Sequence, residues 1–148
     1  MTTIPAVLDA LQALGIATLT SAQTIQGPTT SVTTTTGRIF VIAGEPIVIS
    51  RDFDSMAVGT TQEDYLVPLV WSVDMPGTDM GAAIDAVTAD YTAMELAIRE
   101  YPGMDLGLSA SGVLSAKLFG DAQLQPFAGD FGRSAAVRAA LRVQAQNT

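Results

Sequence analysis

Residues 63–101 read EDYLVPLVWSVDMPGTDMGAAIDAVTADYTAMELAIREY, and this stretch decides the fold. Its first part alternates. Tyr65, Val67, Leu69, Trp71 and Val73 occupy every second position, so an extended chain carries all five, with the only tryptophan, on one face. Pro76 and Gly77 break that run, and a different period begins. Ile84, Val87, Tyr91, Met94, Ile98 and Tyr101 recur every three or four residues, which gathers them into one stripe of a helix. Asp85, Thr88, Thr92, Glu95 and Arg99 follow the same rhythm on the other side, with Glu95 four residues ahead of Arg99 in the favourable order for an ion pair. Thr78 or Asp79 caps the start, and Pro102-Gly103 stops the end. A strand with one large apolar face, followed by a helix with one apolar stripe, predicts that the helix lies on the sheet.

Upstream, Thr3 and Pro5 followed by Val7, Leu8, Leu11 and Leu14, then Gly15, read as a short helix with start and stop signals. Ile16 to Gln26 has no clear period. Thr29 to Thr36, with six threonines, suits an extended segment or polar loop better than a helix. Arg38 to Ala43, bracketed by Gly37 and Gly44, is a continuous apolar run of strand length and reads as a buried strand, with Ile47 to Ile49 a possible extension past Pro46. Ser50 to Gln62 shows no sustained period and reads as a long loop. Pro68 cannot donate to a ladder, so the strand that holds it lies locally at an edge or contains a bulge.

Downstream of a loop over Met104 to Ser111, Val113 to Phe119 and Leu124 to Phe127 read as extended. A Gly129-Asp130-Phe131-Gly132 turn leads to Arg133 to Ala145, where Val137, Ala139, Leu141, Val143 and Ala145 alternate with more polar residues. Alanine content and the Arg138/Arg142 spacing also fit a helix, but strand is the reading adopted, with a terminal hairpin as the simplest topology. The expected architecture is α+β: one domain over residues 1–148, with a small, mainly antiparallel sheet of about four or five strands. A long helix and a short N-terminal helix pack on one face of it.

Composition narrows the function. The 148-residue chain has net charge −8 with seven basic residues, so it offers no cationic stripe for neutralising phosphates, and tight nucleic-acid binding is not expected. With 48% hydrophobic and 15% charged residues it is too apolar for a disordered chain and short of surface charge, which favours self-association or docking. The chain contains neither cysteine nor histidine, which removes disulfides, thiolate nucleophiles, Cys/His zinc sites and the usual general base. No apolar run approaches about 18 residues and no basic and apolar leader opens the chain, so neither membrane spanning nor secretion is expected.

Four local patterns carry possible chemistry. Asp52 and Asp54 form a D-x-D pair that hard cations favour, with Glu63 or Asp64 nearby in sequence, yet neither a phosphate loop nor a third fixed ligand accompanies them. A solvated loop is the plainer reading, and neither metal nor cofactor is expected. Gly107 to Gly112 reads G-L-S-A-S-G, but the nucleophile elbow needs glycine where Ser111 stands and a histidine elsewhere. Tyr91, Met94 and Tyr101 at helical spacing are core before they are a pocket. Arg133, Arg138 and Arg142 form either a basic interface strip or an ordinary polar strand face.

The order of elements, short helix, polar segment, strand, long loop, strand, long helix, loop and hairpin, resembles the tail terminator proteins of long-tailed phages, the lambda-like family. The resemblance spans the first helix to the last strand. It rests on R-I-F-V-I-A-G at Arg38 to Gly44, T-Q-E-D-Y-L-V-P-L at Thr61 to Leu69, the helix after Asp79, and A-V-R-A-A-L-R-V-Q-A at the end. It implies a virion structural protein, assembled in the host cytoplasm, that forms a homohexameric ring at the head-proximal end of the tail. Such a ring stops polymerisation of the tail tube protein and then joins the head connector or stopper, while genomic DNA crosses its lumen without specific binding. In that setting Arg51, Asp52, Phe53, Asp54 and Met56 in the long loop, with Arg133, Arg138 and Arg142, are the expected interface residues. The nearest rival is another neck or minor tail protein, such as a stopper or head-completion protein. A small carboxylate-metal binding module is the rival of a different class.

Overall fold

The computed structural model describes residues 2–27, 37–53, 61–128 and 132–147. Among the described residues, two α-helices, α1 (Ile4–Thr18) and α2 (Met80–Arg99), accompany six strands: β1 (Gln23–Gln26), β2 (Arg38–Ile42), β3 (Ile49–Phe53), β4 (Thr61–Pro76), β5 (Val113–Ala128) and β6 (Gly132–Asn147). They form one mixed, mostly antiparallel sheet in the order β1-β2-β4-β6-β5, with β3 pairing to β4 beyond the end of β2. The α+β class and the two helices on one face agree with the sequence reading. Two short strands add to the expected four or five. β1 comes from the unpatterned segment after α1 and runs parallel to β2, while β3 comes from the segment read as a loop.

The alternation of β4 makes the core. Glu63, Tyr65, Val67, Leu69, Trp71 and Val73 are all buried on its inner face. Phe40 and Ile42 from β2 and Val137, Leu141 and Val143 from β6 flank them, and Val7, Leu11, Val87, Met94 and Ile98 descend from the helices. Each large side chain so buried contributes about 1.5–3 kcal/mol of transfer free energy. At the centre Trp71 stacks on Phe40 with ring centroids 4.9 Å apart and meets Tyr91 edge-on at 5.2 Å. These are the two geometries that aromatic quadrupoles favour.

Each helix is held by a polar contact that crosses elements. The N-terminus of α1 leaves backbone N–H groups unsatisfied. Glu63 supplies an acceptor from β4, taking hydrogen bonds from Thr3 N at 3.3 Å and Thr2 Oγ1 at 2.8 Å, while Thr3 Oγ1 and the Tyr65 hydroxyl lie 2.9 Å apart. A carboxylate there also complements the helix dipole. For α2, Asp79 is the cap, accepting from Ala82 N at 3.0 Å, and Asp90 on the buried face receives Arg38 Nε at 3.1 Å. Gly15 does not stop α1 as expected, since the helix runs on to Thr18. Its role is close approach. A Cβ at Gly15 would lie 2.9 Å from Phe40 Cδ2 and 2.9 Å from Thr24 Oγ1, so α1 rests directly on β1 and β2.

Pro68 marks the junction between β2 and β3. Its carbonyl accepts from Ala43 N at 2.9 Å, so its nitrogen also points to that side, opposite Ala43, where the missing N–H leaves the pair half made. The β2 ladder ends at Ile42↔Leu69 and the β3 ladder starts at Ile49↔Tyr65. Locally, then, β4 is an edge strand at Pro68, one of the two expected outcomes. The segments 113–119 and 124–127 are not two strands but one, β5, with a register shift between Phe119 and Gln123 around Gly120 at φ 74°. The C-terminal segment is strand β6, as read. The Thr-rich segment and the Gly129-Asp130-Phe131 turn lie outside the described residues.

Replacing Trp71 with alanine removes the residue on which α2 and β2 converge. The expected loss in urea denaturation is about 3–5 kcal/mol. A loss under about 1 kcal/mol would contradict the central role given to this side chain.

Candidate interaction surface

The helices cover one face of the sheet only. On the other, β2 presents Ile39 and Val41, β4 presents Leu66, Pro68, Val70 and Ser72, and β6 presents Ala136, Arg138, Ala140 and Arg142. Register with β6 adds Lys117, Phe119, Gln123 and Phe127 from β5. Antiparallel sheets with one face in water normally alternate apolar inward with polar outward. Here the outward positions of β2 and β4 are apolar as well. Leu66 is 39% exposed, Phe119 47% and Phe127 49%, while Ile39, Val41 and Val70 are half-buried by their neighbours. This explains why Arg38 to Ala43 reads as a buried strand: its composition is that of a covered strand, and in the protomer only one side is covered.

Two ion pairs frame this apolar surface. Arg142 Nε lies 3.1 Å from Asp64 Oδ1 and its Nη2 2.7 Å from Oδ2, a bidentate fork between β6 and β4. The same guanidinium sits 5.2 Å from the centroid of the Phe119 ring. Arg138 Nη1 donates to Glu45 Oε1 at 2.9 Å, tying β6 to the chain just after β2. The hydrogen bonds from Arg142 hold the Asp64 carboxyl below its ordinary value of 3.8, and Asp64 in turn raises the guanidinium. On the inner face, burial pushes the Tyr65 hydroxyl up to about 12.

The sheet's long free edge is β5, and its backbone is blunted. Asp74 N donates to Gly37 O at 2.8 Å, so even-numbered residues of this part of β4 face β2 and odd-numbered ones face β6. Carried through the registers, Gln123, Gln125 and Phe127 bond to β6, and Leu124, Pro126 and Ala128 point to the open edge. Pro126 therefore removes a donor where a further strand would pair, and the bulge at Phe119 to Gln123 interrupts the edge again. Both are devices that keep edges from pairing. The surface open to a partner is the outer face rather than this edge.

The expected interface residues divide accordingly. Arg138 and Arg142 share the outer face, about 13 Å apart along the strand. Arg133 stands at the start of β6, half-buried, with Nη1 donating to Gly132 O at 3.1 Å, so the three arginines do not form one strip. Arg51, Asp52 and Phe53 fall within β3, in register with Glu63, Gln62 and Thr61, which corrects the expectation of a loop at both ends of that segment. The alternation there is short and mixed with charge, so pattern alone hides it. Asp54 and Met56 lie outside the described residues. Among the described residues, no group of three acidic side chains converges to hold a metal, and no helix is long and apolar enough to cross a membrane. The G-L-S-A-S-G string folds as a single 3-10 turn at Ser109–Ser111 leading into β5.

Sequence reasoning missed the outer apolar surface, although the signal was present in consecutive apolar pairs such as Ile39-Phe40 and Leu66-Val67. It also missed Asp90, buried on the helical stripe at the step from Val87 to Met94. No protein-family model matches the chain, and no curated protein matches it.

The stability that the Arg142 to Asp64 pair contributes is present above about pH 3.8 and is lost as pH falls through the lower folded-state value. Following the Asp64 carboxyl by NMR, Arg142→Gln is expected to move its midpoint up toward 3.8. An unchanged midpoint would contradict the assigned cause.

Proposed function

We propose that this chain is a structural ring protein of a long-tailed phage, a tail terminator that caps the head-proximal end of the tail tube as a homohexamer and joins it to the head connector. The observation that carries the reading is the outer sheet face, where β2 and β4 carry apolar residues that the helices leave uncovered. Leu66, Phe119 and Phe127 form a surface suited to a protein partner, and two of its basic residues are already fixed by Asp64 and Glu45. Ordered side chains lose little further entropy on docking, so more of the buried area is retained as affinity. The order of helices and strands that resembles this family supports the same reading. So does the net charge of −8, which would let DNA pass a lumen without adhering. No catalysis is assigned.

Light scattering across a concentration series, with and without tail tube protein from the same phage, tests it. The expected result is a six-subunit ring or its concentration-dependent formation, and capture by tube ends. A protein that stays monomeric throughout and ignores tail tubes would overturn the reading. Capture by connector protein in place of tubes would reassign it to another position in the neck.

A further inference from the structure

Resting on the terminator reading, we infer that the tail tube protein docks by adding an extended strand to the free edge of β3. β2 and β3 lie along the same side of β4, but only β2 has a further neighbour, β1. Even-numbered residues of β4 face that side, so Ser50 and Asp52 bond to Asp64 and Gln62. Ile49, Arg51 and Phe53 therefore turn their N–H and C=O groups away from β4, and no strand among the described residues meets them. A row of unpaired backbone groups is a template for an extended chain.

This edge lacks the devices that protect β5. No proline stands in Ile49–Phe53, and its pairing with β4 runs without a register shift. Beside it the chain exposes apolar side chains, Val48 at 77% and Ile49 at 38%, which suit a strand rich in β-branched or aromatic residues. A second copy fits poorly. Two-fold pairing of β3 with itself, centred on Arg51 or Asp52, sets like charges opposite each other, and centring it on Ser50 leaves Phe53 unpaired. β1 is only four residues long, and the β5 edge is interrupted by Pro126 and the bulge, so no other described edge of a second copy matches. The strand then comes from a different protein. The edge borders the outer sheet face, since Ser50 shares that face with Asp64 and Leu66, so an added strand continues the surface already assigned to a partner.

Hydrogen exchange of the isolated chain and of the chain bound to tube ends, read residue by residue, tests this. The Ser50 and Asp52 amides should be protected in both states. Those of Ile49, Arg51 and Phe53 should exchange freely in the isolated chain and gain at least about tenfold protection on tubes. Arg51→Pro removes only an outward N–H, and with an unchanged thermal midpoint to verify folding it should weaken tube capture at least about tenfold. Arg51→Ala keeps that N–H and should weaken capture less. If the unmodified chain captures no tubes, the terminator reading fails and the inference with it. If it captures them while the outward amides exchange as freely as before, or were already protected in the isolated chain, or if both variants lose capture equally, the inference is overturned and the terminator reading stands. A proline variant that does not fold leaves the exchange pattern of the unmodified chain to decide in the same way.

Discussion

Everything in this protomer depends on the burial of one face of β4. Tyr65, Val67, Leu69, Trp71 and Val73 are nearly or wholly inaccessible, and every other element is positioned by contact with them or their neighbours. A strand has two faces, however, and two helices suffice for only one. The helix layer is locked to its side by Glu63 at the start of α1 and by Asp90 along α2, both in the buried set. A buried carboxylate is tolerated only with its partners in place, so these contacts fix where the helices sit as much as how firmly they bind. The outer face is left to whatever the protein meets.

That division explains which parts of the molecule were legible in the sequence. The strand at Tyr65 to Val73 and the helix after Asp79 were, because their periods of two and three-to-four residues report directly on a one-sided environment. The C-terminal strand was legible for the same reason, against its alanine content. β1 and β3 were not, being four and five residues long, too short to show a side-chain period. Pro68 gave a correct local edge without revealing that the edge is a junction between two strands.

The interaction surface was legible only in part. Arg138 and Arg142 were visible as a spaced pair, but their partners Glu45 and Asp64 are 93 and 78 residues away in sequence, and only the register brings them together. The apolar outer positions were visible too, as doubled hydrophobic residues in β2 and β4. In β2 the continuous apolar run pointed to a buried strand, and the protomer covers one of its faces. The mismatch between what these strands are composed of and what the protomer provides is the physical basis for expecting a partner on that face.

Hydroxyl-radical footprinting of the assembled and the dilute protein measures that expectation residue by residue. The account predicts that Leu66, Phe119 and Phe127 lose reactivity on assembly while Ile16, 60% exposed on α1 in the helix layer, keeps its own. Unchanged reactivity at Leu66 and Phe119 in an assembled particle would contradict it.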